Sequence, residues 1–192
     1  MGLKNSYFHV VLLLILFTIV KTVSAQHYHF DAYSVKEGLA QSSVHAIQQD
    51  AKGLVWLGTA SGLSKFDGKD FFNYTTENGL ADGAVKTIFI DSTNSVWTGH
   101  IDGGVSRVMN GKTEVVFNLK ADITGFGLDS ENHLWISTFK EGAIEIVNPF
   151  HANKDSILFK QYKGQDGLSD VVYQVVPLKN GTVCFVTDVG VK

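Results

Sequence analysis

The chain has 192 residues, a formal net charge of −3 and one cysteine. No long basic run is present, so nucleic acid and anionic membrane surfaces are not the expected partners, and a lone Cys184 excludes an intrachain disulfide or a thiolate zinc site. The 19 glycines and 11% aromatic residues suit a turn-rich β protein better than a helical one.

In chain order, residues 1–25 come first as a secretory leader. Lys4 lies in a short polar start, Val10 to Val20 is an apolar run, and Val23-Ser24-Ala25 is a small-residue cleavage site before Gln26. The apolar run is short for a spanning helix, which needs about 20 residues. The mature chain is therefore expected to work outside the cytoplasm.

Two signatures then alternate along residues 26–192. The first is an aromatic pair followed by Gly-Leu: Phe30-x-x-Tyr33 with Gly38-Leu39, Phe71-x-x-Tyr74 with Gly79-Leu80, and Phe159-x-x-Tyr162 with Gly167-Leu168. The second places the three tryptophans at one point of a copy: Asp50-x-x-Gly53-x-x-Trp56, Asp91-x-x-Asn94-x-x-Trp97 and Asp129-x-x-Asn132-x-x-Trp135. They recur about every 40 residues, the period of a stacked supersecondary unit.

Each unit reads as four short strands. The first strands are Val44 to Ile47, Val85 to Ile88, Ile123 to Phe126 and Tyr173 to Val176. The second run from Leu54, Ser95, His133 and Thr182, and the third are Leu63 to Phe66, Val105 to Val108 and Ala143 to Val147. The aromatic pair marks the fourth. Asp67-Gly68 and Asn110-Gly111 are two-residue hairpin signals. A four-stranded sheet cannot bury both faces alone, so these units predict an all-β fold, a β-propeller of four-stranded blades in an incomplete ring. The blades fall at about 38–76, 79–118, 120–163 and a partial 167–192. Residues 28–34 read as the outer strand of a closing blade. Asp50, Gly53, Trp56, Gly62, Asp91, Trp97, Asp129 and Trp135 are structural repeat positions: aspartates for tight turns, tryptophans as filler between blades. Cys184 stands where a fourth tryptophan belongs and reads as a small buried hydrophobe.

The unit Gly-Leu-x4-Val-x2-Ile-x2-Asp-x2-Gly-x2-Trp-x-Gly-Thr-x2-Gly-Leu, present as Gly38 to Leu63, resembles the two-component regulator propeller repeat. The resemblance covers about residues 28–192. The third copy lacks its opening Gly-Leu, and the fourth lacks the aspartate and tryptophan. It implies tandem propellers forming the periplasmic sensor of a histidine kinase, followed by a β-sandwich, one membrane helix and a cytoplasmic kinase core. On this reading the chain is an N-terminal sensor fragment. Its partners are a small ligand such as an oligosaccharide, the rest of the propeller and the kinase in the same full-length chain, and a second copy of the parent in a homodimer. No cofactor and no catalytic residue are expected in this segment.

Loops that lead into each blade share one ring face with loops between second and third strands. They vary between copies while the strands hold, which is where specificity is built. The chemically richest are His100, Asp102, Phe139 and Lys140, the candidate ligand-binding residues. Two other classes remain open. A propeller lyase of the streptogramin type would need a histidine and acid set holding a metal on one face. A secreted binding propeller would have no kinase.

Overall fold

The computed structural model describes residues 29–151 and 153–192. The leader read over residues 1–25 lies outside them. Residues up to Ala32 and the segment Tyr33–Lys192 form separate units. Residues 29–34 form no strand. The closing-blade strand read there would complete the last blade of a closed ring, by pairing with the free edge of its third strand.

From Tyr33 onward the chain forms four antiparallel sheets, each built in chain order. The first holds β1 (Val44–Gln49), β2 (Val55–Thr59), β3 (Gly62–Phe66) and β4 (Phe71–Tyr74). The second holds β5 (Val85–Ile90), β6 (Val96–His100), β7 (Val105–Met109) and β8 (Lys112–Phe117). The third holds β9 (Ile123–Leu128), β10 (Leu134–Thr138), β11 (Ala143–Ile146) and β12 (Phe159–Tyr162). The fourth has β13 (Val172–Pro177), β14 (Val183–Thr187) and the two-residue β15 (Gly190–Val191). Strand β8 carries no Phe-x-x-Tyr pair, so the aromatic signature missed it. Among the described residues the only helical elements are short 3-10 turns, and no helix is long and apolar enough to cross a membrane.

The first strands β1, β5, β9 and β13 pack one against the next, which makes the sheets the blades of an open arc of β-propeller. Apolar side chains fill each gap. Trp56, Leu63, Val85, Ile88 and Val96 join blades one and two. Trp97, Val105, Ile123, Leu134 and Ile136 join blades two and three. Cys184 is half-buried, not a closed core position, because it lies on the second strand of the last described sheet.

Glycine sets the approach of the blades. A Cβ on Gly58 would lie 2.8 Å from Val85 Cγ1, and one on Gly99 would lie 2.4 Å from Ile123 Cγ2. Both glycines belong to the repeat because the next blade's first strand rests on them.

Every first strand also carries a bulge at the same place. His45, Lys86, Thr124 and Tyr173 are each skipped in the pairing with the second strand. A bulge re-aims one side chain, and in the first three blades it is aimed at the following blade. His45 Nδ1 lies 3.2 Å from the Val85 carbonyl. Lys86 Nζ donates to Asp122 Oδ2 at 3.0 Å, and Thr124 Oγ1 donates to the Val172 carbonyl at 2.6 Å. These polar latches sit at the end of the blades where the leading loops enter.

Candidate functional site

One end of the arc is built for rigidity. Asp50 Oδ1 accepts from the backbone N–H groups of Lys52 and Leu54, and Oδ2 accepts from the Trp56 indole at 3.0 Å. Asp91 does the same for Thr93, Ser95 and Trp97, with the indole at 2.8 Å. Asp129 repeats it for Glu131, His133 and Trp135, again at 2.8 Å. One carboxylate thus closes a turn and satisfies a buried indole N–H, which is why Asp and Trp recur six residues apart. Burial opposes ionisation of Asp50, but the Trp56, Leu54, Lys52 and Asn94 hydrogen bonds outweigh it and hold the carboxyl below its usual range. Asp129 is held low in the same way, with Trp135 the leading donor. Asn94, with φ 64°, takes the place of Gly53 and adds a bond to Asp50 of the preceding blade at 3.3 Å.

The opposite end carries the loops that differ. The repeat places a threonine at the end of the second strand. Thr59, Thr138 and Thr187 each donate through Oγ1 to a glycine carbonyl across the turn, at 2.8 to 2.9 Å. In the second blade this residue is His100. Sequence reading put His100 in an exposed loop. The structure corrects this: it is the last residue of β6 and wholly buried. The reason is register, since His100 faces Val85 in the β5–β6 pairing and substitutes for a core threonine. Its Nε2 is bonded with Ser106 Oγ at 3.0 Å and Thr98 Oγ1 at 3.2 Å. Burial pushes its pKa down to about 4, with Asp82 pulling partly back. A neutral, enclosed imidazole is not presented to a ligand.

The other three candidates converge. Asp102, Phe139 and Lys140 line one cleft of about 320 Å³ together with Lys120, Ala121 and Asp122. The cleft joins the loops after β6 and β10 to the loop leading into β9. Backbone bonds hold that frame: Phe139 N–H donates to the Asp122 carbonyl at 2.9 Å, and Lys140 N–H to the Asp170 carbonyl at 3.0 Å. Phe139 is 38% exposed and lies 6.3 Å from the Tyr173 ring, centroid to centroid. Lys140 adopts φ 94°, a left-handed conformation that costs a lysine energy. Sequence reading missed Lys120 and Asp122. Their signal was available in the third copy, where Lys120-Ala121-Asp122 occupies the loop leading into a blade. No group of three His, Cys, Asp or Glu among the described residues is arranged to hold a metal ion.

Residues 38–61 match the family model described as two component regulator propeller. That stretch carries one two-component regulator propeller repeat. A 45-residue stretch, 23% of this propeller chain, is 49% identical to histidine kinase P4 of Formosa agariphila and covers 3% of that protein. In three dimensions, 83% of the propeller chain superposes on the extracellular domain of a hybrid two-component system of B. thetaiotaomicron, with a TM-score of 0.66 and 16% identity. It also superposes on a catalytically inactive virginiamycin B lyase from Staphylococcus aureus bound to quinupristin, over 78% of this chain and 54% of that one, with a TM-score of 0.56 and 15% identity. The chain spans 22% of the B. thetaiotaomicron domain. At these identities the superpositions establish the propeller fold of the chain.

Proposed function

We propose that the chain is part of the extracytoplasmic ligand-sensing propeller of a two-component sensor histidine kinase. The ligand, a small molecule such as an oligosaccharide, docks in the cleft lined by Asp102, Phe139 and Lys140. One observation carries the site. The residues that differ between repeats gather around a cleft at one end of the blades, while the residues that recur in each repeat are spent on turns and packing at the other. The leader read at residues 1–25 is in keeping with that compartment. The likeness to extracellular two-component domains supports it.

The cleft spans two blades, so a ligand there contacts both and biases their relative arrangement. It can shift signalling only by binding one arrangement more tightly than another. The test uses the full-length receptor in vesicles, with autophosphorylation read against a panel of oligosaccharides. Phe139→Ala and Asp102→Asn are expected to raise the half-maximal ligand concentration about tenfold or more. A response unchanged in both variants removes the cleft from the pathway.

The lyase reading is weaker here. Its natural histidine, His100, is buried and held by Ser106 and Thr98.

A further inference from the structure

This inference rests on the ligand-binding reading of the cleft and adds the chemistry of what it holds. By formal charge the lining cancels, with Asp102 and Asp122 against Lys120 and Lys140. Pairing changes the balance. Asp122 is already engaged by Lys86 of the preceding blade, Nζ to Oδ2 at 3.0 Å. Glu141, beside Lys140, is engaged by Lys163 and by Gln161 Nε2. The ammonium groups of Lys120 and Lys140 have no ion pair or hydrogen bond among the described residues. Two uncommitted cations therefore face the cleft against one uncommitted carboxylate, Asp102.

The cations stand beside an aromatic surface. Lys140 Nζ is 5.8 Å from the Phe139 ring centroid, and Tyr173, 49% exposed, extends the surface beyond it. The Lys140 backbone is in the left-handed region, where glycine or asparagine would sit without strain, yet a lysine is held there. We infer that the cleft takes a ligand bearing an anionic group, a carboxylate or a sulfate ester, beside a flat apolar ring face. Phe139 receives the ring face, Lys120 and Lys140 receive the anion, and Asp102 accepts from a hydroxyl. Lysine suits this role as a mobile point charge with three donors.

The test is calorimetric titration of the chain with four probes. They are an oligogalacturonate, its methyl ester, a sulfated oligosaccharide and its desulfated counterpart. Tryptophan fluorescence confirms that each variant is folded. One acidic probe is expected to bind at least about tenfold tighter than its neutral partner, and added salt should weaken only the acidic probe. Which acidic probe wins distinguishes carboxylate from sulfate. The double variant Lys120→Gln/Lys140→Asn should erase the difference between each acidic probe and its neutral partner. Asparagine is chosen at 140 because it tolerates the left-handed backbone. Equal binding of acidic and neutral probes, lost in Phe139→Ala, overturns the charge inference and leaves the cleft reading intact. Binding by none of the four, or binding indifferent to both variants, overturns the cleft reading and this inference with it.

Discussion

Blades one and two are built from the same repeat and end in different physical situations. Val85 is fully buried in blade two, whereas Val44, its counterpart in blade one, is 41% exposed. Ile88 is 6% exposed and Ile47 is 64% exposed. The tryptophans differ far less, with Trp97 at 0% and Trp56 at 5%. The contrast is directional. Each tryptophan faces the following blade, which both copies possess among the described residues. Each first-strand Val/Ile pair faces the preceding blade, which supplies a glycine for it to rest on: Gly58 serves Val85, and no described sheet serves Val44. Position in the repeat sets which neighbour a residue requires, and the neighbour sets its energy.

The largest test of this asymmetry is a pair of alanine substitutions. Ile88→Ala is expected to cost about 3 kcal/mol in denaturant unfolding, the usual range for a closed core isoleucine. Ile47→Ala should stay within about 0.5 kcal/mol. Equal losses would mean that Ile47 is covered in solution, and would break the comparison.

The position paired with the tryptophan gives the next test. Arg107 is 1% exposed in blade two. It donates to Glu114 and to the backbone carbonyls of Pro149 and His151, at 3.0 and 2.7 Å for the last two, and stacks 5.2 Å from the Trp97 ring. Lys65 holds that place in blade one and lies over the half-exposed Phe72. Arg107→Met should cost about 2 kcal/mol, because it leaves acceptors without their donor. Lys65→Met should cost under about 0.5 kcal/mol.

A third test loads the blade interface directly. Gly99→Ala is expected to destabilise by about 2 kcal/mol, since its Cβ would overlap Ile123 and the two sheets must separate to admit it. A hydrogen-exchange map should show the loss centred on β6 and β9.

The smallest effect is a pH dependence that blade two has and blade one lacks at this position. His100, with a folded pKa of about 4, is neutral in the native state, while in the unfolded chain it titrates near its ordinary 6.5. The unfolded chain therefore binds the proton first as pH falls. The stabilising contribution is complete above about pH 6.5 and declines on the way to pH 4, by about 1 kcal/mol at roughly pH 5.7. His100→Thr, which restores the residue found at 59 and 138, should remove that slope from the unfolding free energy. A slope that survives the substitution assigns it to another group.

The candidate site was partly legible. Asp102, Phe139 and Lys140 stand out because they interrupt a repeat with charged and aromatic residues in turns, and the structure does bring them to one cleft. Lys120 and Asp122 escaped because the third copy lacks the opening Gly-Leu that marks the leading loop in the first two copies. His100 misled because its side chain looks functional, whereas the pairing register with β5 makes it a core residue. Strand β8 escaped because Lys112–Phe117 carries no aromatic pair, yet it forms where β7 offers a free edge.

Local chemistry in the sequence was enough to determine the repeat. Six residues of spacing let one aspartate close a turn and reach an indole. Glycine at 58 and 99 declares a close approach before any partner is known, and alternation of β-branched residues declares the strands. These are short-range conditions written into each copy. Only the tertiary structure decided what each copy would become. It determined that the bulged residues His45, Lys86 and Thr124 latch onto the next blade, that Ile47 stays exposed while Ile88 does not, and that one of the four charges lining the cleft, Asp122, is already committed. Those outcomes depend on which blade stands beside which, and a side chain's burial and charge are set by neighbours about one repeat or more away along the chain.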